Sequence, residues 1–418
     1  MSGGAAGDSQ SREKDFERGD RLNEESAAKS SGRVRSEELE KSLLAPYAMF
    51  SCDSMGRQYP EKADEYRTIY QHDRDRVVHC TAFRRLEYKT QVFANHQGDH
   101  YRTRLTHTLE VAQVSRAVAR RLGLNEDLVE TIALVHDVGH PPFGHAGERE
   151  LAQLMSNHGG FNHNRHALRV VDLLESRYPG FPGLNLSWEV RESIVKHYGR
   201  FDEPELDQFL PGKPPTLEAQ LADIGDSLAY DSHDLDDGLR SGVLDFGELS
   251  EIDLFRRALD SVTGKHGSEI TSRALIARCV SAVISQQVND LVLTSRDRLS
   301  RHDIGDVESV RRHDGNLIGF STAMSADKAQ LQNFLQEKLY RDPFCVRMSQ
   351  KGRRMVAALF EEFVREPAQL PPEHLARCSE LGRERAVCDY IAGMTDRYCA
   401  KEYERLFLPN SSDPGRMT

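Results

Sequence analysis

A histidine and an aspartate stand side by side at His136-Asp137, directly after the apolar run 132–135. Imidazole and carboxylate groups are common ligands of divalent cations. The apolar residues before the pair favour a helix whose buried end carries it. Two further histidines, His140 and His145, follow in a segment that contains two consecutive prolines. The segment therefore predicts a metal or proton-transfer centre at the end of a helix.

Two more positions could complete such a site. Apolar spacing predicts a helix over 105–122, in which His107 heads a stripe of three valines and faces inward. A second predicted helix begins at Leu217 and carries Asp226 beside its apolar stripe. Two imidazoles and two carboxylates form a mixed ligand set for one divalent ion, with positions left for water or a phosphate oxygen. On spacing alone, other carboxylates compete for the fourth position: Asp223, Asp231 and Asp234.

Apolar residues at three- and four-residue intervals predict helices along most of the chain. Besides the two helices above, the predicted segments are 126–138, 147–157, 164–178, 188–198, 254–262, 270–290, 326–340, 351–363 and 384–407. Short strand signals occur only near 291–293 and 317–320, and the polar interval 294–322 receives no assignment. The sequence therefore predicts an all-α protein.

Composition limits the class of protein. The 418 residues carry a formal net charge of -11, so a polyanion could be bound only by a local basic cluster. No apolar run approaches the roughly 18 residues that span a membrane. Seven scattered cysteines without a CxxC pair are typical of reduced thiols, which predicts a cytoplasmic location.

A basic segment precedes the 105–122 helix. Arg84 and Arg85 stand among apolar residues, in a pattern that favours a helix. Guanidinium groups form bidentate hydrogen bonds with phosphate oxygens. The segment therefore forms either a solvated helix face or an anion-binding wall.

Several blocks of the sequence resemble the deoxyguanosine triphosphate triphosphohydrolase family, within the HD superfamily of metal-dependent phosphohydrolases. The order of histidines and aspartates described above is similar to the superfamily pattern, and the closer likeness rests on longer blocks. These are Ala82–Leu86, Lys89–Phe93, Gly98–His107, His136–His145, Gly160–Asn164, Ala229–Leu239 and Asp389–Asp396. The likeness covers residues 66–408, which is most of the chain.

The resemblance implies an HD-type helical fold and the hydrolysis of a deoxynucleoside triphosphate, such as dGTP, to the deoxynucleoside and triphosphate. It also implies one Mg²⁺ or Mn²⁺ ion, which decides the fourth ligand in favour of Asp226. The implied ligands are His107, His136, Asp137 and Asp226. An ion so placed would polarise the α-phosphate and stabilise developing charge.

The resemblance assigns proton-transfer roles close to the metal. His145 would be the general acid or base, and Glu148 would orient its imidazole. His163 would be a phosphate contact or a proton donor. Whether the attacking water is bound to the metal or activated by His145 stays open at this point.

The resemblance also implies a nucleotide pocket. Its residues are Arg84, Arg85, Gln91, Val92, Arg104, Tyr230 and Asp234. Gln91 and Asp234 would hydrogen-bond the sugar 3′-hydroxyl, and Arg104 would hold phosphate. Tyr230 would pack against the sugar and exclude a 2′-hydroxyl, which predicts a preference for deoxynucleotides.

The two residues that flank Asp226 depart from the family pattern. Gly225 precedes Asp226 where many relatives have alanine, and Ser227 follows where an acidic residue is usual. Glycine weakens a helix by about 1 kcal/mol, but the carboxylate itself is present. The departure therefore does not predict loss of activity.

We expect a disordered polar tail over 1–42, an HD core over 43–250, a helical region packed on it over 251–408 and a flexible tail over 409–418. The resemblance further predicts a homo-oligomer built from dimers, up to a hexamer, and the Arg84-Arg85 region suggests weak binding of single-stranded nucleic acid. Two other functions stay open. One is an HD phosphohydrolase acting on a cyclic nucleotide, a nucleoside monophosphate or an alarmone. The other is a non-catalytic protein that binds nucleotides or single strands.

Overall fold

The computed structural model describes residues 32–91, 102–197, 207–266 and 271–409. Within these ranges the chain folds into 18 α-helices. They contain no β-strand, only isolated β-bridges such as that between Thr90 and Thr103. The prediction of an all-α fold is confirmed.

The helices of the first part of the chain carry most of the predicted site. They are α1 (Gly32–Leu43), α2 (Ile69–His79), α3 (Thr81–Arg85), α4 (Arg104–Leu122), α5 (Glu126–Val135), α6 (Gly144–Leu154), α7 (His163–Arg169), α8 (Trp188–Val195) and α9 (Leu217–Ser241). A π-helical turn at Val170–Leu174 extends α7.

The remaining helices form the second part of the structure. They are α10 (Phe246–Leu249), α11 (Asp253–His266), α12 (Ser272–Arg301), α13 (Val307–Arg312), α14 (Thr322–Lys338), α15 (Pro343–Arg365), α16 (Pro372–Leu381), α17 (Arg383–Ala392) and α18 (Asp396–Phe407). Short 3-10 turns lie at Ser51–Asp53, Leu86–Tyr88 and Pro367–Gln369.

Helix α4 has well-defined ends. Thr103 caps its N-terminus in a capping box with Thr106. Gly123 follows its last turn in the left-handed conformation, with φ of 70°. Val111 is fully buried and His107 is only 1% exposed, as the apolar stripe predicts. The helix therefore presents His107 to the interior at a fixed position.

Helix α9 passes through three hydrophobic clusters. Leu221 belongs to a cluster with residues of α4 and α12. Ala222 and Ala229 pack in the cluster around α5. Leu235 joins a third cluster with α11 and α12. Because several cores hold the same helix, Asp226 near its middle has little freedom to move.

The C-terminal helices pack on the first part of the chain. Leu151 of α6 shares a cluster with Phe360 and Phe363 of α15. The buried ammonium group of Lys89 donates hydrogen bonds to the carbonyl oxygens of His140, at 2.5 Å, and Ala392, at 3.0 Å. These contacts join the loop after α5 to the end of α17.

The prediction of disorder over 1–42 is wrong for residues 32–42, which lie in α1. The Ser51 backbone N–H and hydroxyl both donate to the Glu40 carboxylate, at 2.8 and 2.6 Å, and tie α1 to the chain that follows. Composition alone does not reveal such a contact. Residues 1–31 and 410–418 lie outside the described ranges.

Both strand signals are wrong. Residues 291–293 lie inside α12, where Leu291 is buried and Leu293 is 67% exposed. The backbone N–H groups of Leu317 and Ile318 donate to the side-chain oxygen of Gln220, at 2.9 and 3.2 Å, and form no ladder. The apolar residues of both segments serve helix packing and a loop.

Several helix boundaries also differ from the prediction. The segment without an assignment, 294–322, contains the end of α12 and all of α13. The helix expected over 384–407 is divided, because Thr395 caps a new helix after Gly393. Helix α16 was not predicted. No helix in the described part of the chain is long and apolar enough to cross a membrane.

Candidate active site

His136 lies at the C-terminal end of α5, 8% exposed. Its Nδ1 lies 2.6 Å from the carbonyl oxygen of Ala133, which can only accept a hydrogen bond. Nδ1 therefore carries the proton in the neutral ring, and Nε2 presents its lone pair. This Nε2 is buried and has no hydrogen-bond partner among the described residues. It is oriented as a ligand atom would be.

His107 and Asp226 meet His136 across the interface of α4, α5 and α9. His107 Nε2 lies 2.8 Å from Asp226 Oδ1, and His136 Nε2 lies 3.6 Å from the same oxygen. One ligand atom from each of the three residues falls within 4.8 Å of the others. The structure thus brings together three of the four predicted metal ligands in one buried cluster.

Asp137 lies beside the cluster. Its Oδ1 is 3.4 Å from His136 Nε2. Its two oxygens each lie 3.0 Å from the Arg104 guanidinium, and Oδ1 is 2.9 Å from His140 Nδ1. Burial would raise the pKa of the Asp137 carboxyl, but Arg104 and His140 outweigh it and hold this pKa well below its usual range. Asp137 is therefore a carboxylate at the edge of the cluster.

The competing carboxylates of α9 are paired elsewhere. Asp223 contacts His197, and Asp231 contacts Lys328. Asp234 accepts a hydrogen bond from Tyr340. Asp226 is the α9 carboxylate that faces His107 and His136, in agreement with the ligand implied by the resemblance.

His197 is a site residue that the sequence reasoning missed. It is 5% exposed, and its Nε2 lies 3.8 Å from Asp226 Oδ2. Burial lowers its pKa, but Asp223 and Asp226 outweigh burial and raise the pKa of His197 to about 10. It stands just after α8, and no spacing in the sequence relates it to the distant α9.

The loop after α5 delivers His145 to the same region. Phe143 and Gly144 have positive φ angles, 62° and 55°. The Phe143 backbone N–H donates to Asp396 Oδ1 at 2.9 Å, which helps to hold this conformation. A Cβ on Gly139 would clash with the backbone at the start of α7, so glycine permits a close approach there.

Glu148 links two histidines. Its Oε2 lies 3.3 Å from His145 Nδ1, and its Oε1 lies 2.6 Å from His163 Nδ1. Burial would raise the pKa of Glu148, but these imidazoles outweigh burial and lower it. The sequence reasoning paired Glu148 with His145 alone, whereas its shorter contact is with His163. His163 also stacks on His140, with ring centroids 4.0 Å apart.

A cavity of about 590 Å³ is lined by the metal cluster and by the two histidines that contact Glu148. The predicted site residues that line it are Gln91, Arg104, His107, His136, Asp137, His145, His163, Asp226 and Tyr230. The rings of Tyr230 and Tyr340 stack on one side, with centroids 6.4 Å apart. A cavity of this size holds a small-molecule ligand.

Gln91 lines the cavity, whereas Asp234 contacts the lining residue Tyr340 without lining the cavity itself. Asp234 accepts from the Tyr340 hydroxyl through Oδ2, while its buried Oδ1 has no hydrogen-bond partner in the described ranges. The buried side-chain oxygen of Gln91 likewise lacks a described partner. Contact of these two oxygens with a bound ligand therefore stays a prediction.

Arg84 and Arg85 do not line the cavity. Both are exposed, and Arg85 donates to the carbonyl oxygen of Gly393 at 3.0 Å. Val92 lies outside the described residues. Binding of substrate by these three residues stays a prediction.

The cavity wall also includes cationic residues that the sequence reasoning did not select. Arg149 lies on α6, Lys351 on α15 and Arg397 on α18. All three are exposed at the rim of the cavity. Because they come from distant parts of the chain, sequence spacing gave no reason to group them.

The residues of the cluster fit a divalent cation. The set contains two imidazoles, which suit transition-metal ions such as Fe²⁺ and Zn²⁺, and carboxylate oxygens, which suit Mg²⁺ and Mn²⁺. Burial would lower the pKa of His136, but Asp137 and Asp226 outweigh it and raise this pKa. The carboxylates of the cluster therefore favour a positive charge at this position. The His136 Nε2, which has no described hydrogen-bond partner, faces the other residues of the cluster.

Comparison with known proteins gives the family. Residues 104–231 match the HD domain, and residues 318–405 match the phosphohydrolase-associated domain. The two matches lie on either side of residue 251, where we expect the core to end, and that boundary stays a prediction.

Curated relatives match nearly their whole length. A deoxyguanosinetriphosphate triphosphohydrolase-like protein of Geobacter sulfurreducens is 48% identical over 373 residues, which are 89% of this chain and 97% of the relative. Proteins with the same name from Nitrosomonas europaea and Bordetella pertussis are 49% and 46% identical, over 88% and 87% of this chain and 98% and 96% of theirs. The chain therefore belongs to the family of deoxyguanosinetriphosphate triphosphohydrolase-like proteins, which carry the HD phosphohydrolase domain.

Proposed function

We propose that the protein is a metal-dependent deoxynucleoside triphosphate triphosphohydrolase that converts a dNTP and water to the deoxynucleoside and triphosphate. The observation that carries the proposal is the single cavity of about 590 Å³. It is lined by the candidate metal cluster, by His145 and His163, which both contact Glu148, and by a cationic rim. The names of the relatives make dGTP the first substrate to test.

His107, His136, Asp137 and Asp226 would hold one Mg²⁺ or Mn²⁺ ion. When bound, such an ion polarises a phosphate oxygen and stabilises charge that develops during attack on phosphorus. His136 Nε2 is fixed for this role by the Ala133 carbonyl. Arg104 reaches both the Asp137 carboxylate and the cavity, so it can neutralise phosphate charge beside the cluster.

The second group would move protons. Cleavage between the α-phosphorus and the 5′-oxygen leaves a deoxynucleoside alkoxide that needs a proton. His145 lies on the cavity wall, with Nδ1 oriented by Glu148 and Nε2 free to exchange a proton with the reacting groups. His163, held by the same carboxylate, would contact phosphate or donate a second proton.

The rest of the cavity would bind the nucleotide. Tyr230 would pack against the sugar, and Gln91 and Asp234 would hydrogen-bond its 3′-hydroxyl, which can donate to only one of their two unpartnered oxygens. A packed sugar pocket rejects a 2′-hydroxyl by steric exclusion. The rim cations would meet the β- and γ-phosphates, which favours a triphosphate over a cyclic or monophosphate substrate. Arg84 and Arg85 do not line the cavity, so they would contact phosphate only if the substrate extended beyond the cavity wall.

The test is a product analysis. The purified protein is incubated with each dNTP, alone and in pairs, with Mg²⁺ or Mn²⁺. GTP, a cyclic nucleotide and an alarmone serve as comparison substrates. We expect equal amounts of deoxynucleoside and triphosphate from a dNTP, and no products with EDTA. Release of single phosphate or pyrophosphate, or turnover of the comparison substrates alone, would contradict the proposal and favour another HD phosphohydrolase.

Incubation with pairs of dNTPs also tests whether a second dNTP activates the protein. Light scattering after size-exclusion chromatography tests the proposed dimer-based homo-oligomer. Binding of single-stranded nucleic acid without turnover would instead favour a binding protein, and its salt dependence would report the phosphate contacts. A cytoplasmic location and the identity of the metal are part of the same proposal.

A further inference from the structure

His107 is held differently from His136. The Nδ1 of His136 pairs with a backbone carbonyl, whereas the Nδ1 of His107 lies 3.0 Å from Nδ1 of another buried imidazole, His233. The His107 and His233 rings meet edge to face, with centroids 5.0 Å apart and an interplanar angle of 81°. His107 and His233 are only 1% and 3% exposed. A side chain therefore takes the place of the carbonyl.

The other ring nitrogen of His233 contacts a carboxylate. His233 Nε2 forms an ion pair or hydrogen bond with Glu110. The Glu110 carboxylate in turn lies 3.5 Å from the Arg102 guanidinium. Arg102 also donates to Asp237 Oδ1 at 2.7 Å. A continuous chain of polar contacts thus runs from the protein surface to His107.

The helices explain this juxtaposition. His107 and Glu110 are three residues apart on α4, so they lie on neighbouring positions of one face. Asp226 and His233 are seven residues apart on α9, which is about two helical turns. One face of α9 therefore supplies both a candidate ligand and the partner of another ligand.

A bound cation would decide where the protons lie, because without it His107 Nε2, 2.8 Å from Asp226 Oδ1, would donate to that carboxylate. If His107 Nε2 is to offer its lone pair to a cation, the His107 proton must sit on Nδ1. Nδ1 must then donate to His233 Nδ1, which must accept. His233 consequently carries its proton on Nε2 and donates it to the Glu110 carboxylate, which can accept it. Each contact has one donor and one acceptor in this arrangement.

We infer that Glu110 and His233 are positioning residues that hold His107 in the orientation and tautomer needed to bind the metal ion. The inference rests on the proposed metal site. Such partners of metal ligands typically change metal affinity by about 10–100-fold when they are removed. His233 and Glu110 need not touch the substrate for this effect.

The test measures Mn²⁺ affinity by electron paramagnetic resonance, without substrate. His233→Phe keeps a ring of similar size but cannot accept from His107, so we expect Mn²⁺ binding to weaken by about 10–100-fold. Glu110→Met, at a half-exposed position, should also weaken binding. Glu110→Gln retains an acceptor oxygen and should stay much closer to wild type. His374→Phe, a histidine that packs on Tyr390 far along the chain, is the matched control.

Circular dichroism of the metal-free proteins checks that each variant folds. Wild-type Mn²⁺ affinity in His233→Phe, or equal affinity in the two Glu110 variants, would overturn the inference. If His233→Phe does not fold, the Glu110 pair decides the question. Wild-type protein that binds Mn²⁺ but releases no triphosphate would contradict the proposed function alone.

Discussion

The floor and the rim of the cavity are built in different ways. At the floor, His107, His136 and Asp226 are each at most 8% exposed, and each is held by a helix in the hydrophobic core. At the rim, Lys351 and Arg397 are exposed and come from the C-terminal helices. Under the proposed function, the floor would determine the chemistry and the rim would adjust which substrate is held.

The most severe test of this comparison removes a floor residue. His136→Ala takes away an imidazole whose Nε2 makes no hydrogen bond among the described residues, so the fold should survive. We expect loss of both Mn²⁺ binding and turnover. Calorimetry and the product assay measure the two effects, with His374→Phe as the control. Substantial turnover in His136→Ala would show that the cluster is not the catalytic centre.

The next effect separates proton transfer from metal binding. Glu148→Gln keeps the size of the side chain but weakens its hold on the His145 and His163 imidazoles. We expect kcat to fall by roughly 10²–10⁴-fold, the range of general acid–base catalysis. Mn²⁺ affinity should be unchanged. The matched control is Glu150→Gln, since Glu150 lies on the same helix as Glu148 but pairs with Arg353. An equal loss of kcat in Glu150→Gln would refute the proton-transfer role of Glu148.

A third experiment tests how tightly the floor is packed. A Cβ on Gly225 would overlap with Oγ of Ser115 on α4, so the glycine allows α4 and α9 to approach beside Asp226. Gly225→Ala should destabilise the protein by about 1–3 kcal/mol, the usual cost of overpacking. Ser115→Ala should recover much of this loss in the double variant, as urea unfolding would show. Additive losses would mean that the two residues are not in contact.

Lys89, which links the loop after α5 to the end of α17, gives stability its own pH dependence. Burial, with a smaller effect of Arg85, lowers the pKa of Lys89 to about 7. The unfolded lysine has the higher pKa, so between these values the unfolded chain binds the extra proton and stability rises with pH. From pH 6 to pH 8 this contributes about 1 kcal/mol.

Urea unfolding of wild type and Lys89→Met at both pH values isolates this contribution. The free energy of unfolding of the wild type should increase relative to that of the variant as the pH rises. A difference between the two proteins that is independent of pH would show that Lys89 stays charged in the folded state.

The smallest effect is expected at the rim. Replacing Lys351 and Arg397 with glutamine should raise KM for the triphosphate several-fold and leave kcat nearly unchanged, because exposed charges attract phosphate only weakly. The dependence of KM on salt should also decrease. A large loss of kcat would mean that the rim takes part in the chemistry.

The floor could be predicted from sequence because its chemistry restricts residue type and its helices are regular. The stripe of α4 placed His107 inside, and the resemblance selected Asp226 from four carboxylates of α9. The partners His197 and His233 could not be found, since their contacts cross between helices far apart in sequence.

The sequence did not predict those parts of the fold in which tertiary contacts, rather than local residue preferences, determine the structure. Helix α1 is tied to the chain that follows it by a hydrogen bond from Ser51 to Glu40. The loop at 317–318 is held by a hydrogen bond to the side chain of Gln220. The rim depends on how the C-terminal helices pack on α6. Each of these features requires the tertiary structure.

The central claim is that this cavity cleaves dGTP between the α-phosphorus and the 5′-oxygen by attack of water on phosphorus. The most direct test is hydrolysis of dGTP in H₂¹⁸O with Mn²⁺, followed by mass spectrometry of both products. We expect one ¹⁸O atom in the triphosphate and none in the deoxyguanosine. Label in the deoxyguanosine, or products that contain a guanosine phosphate, would contradict it.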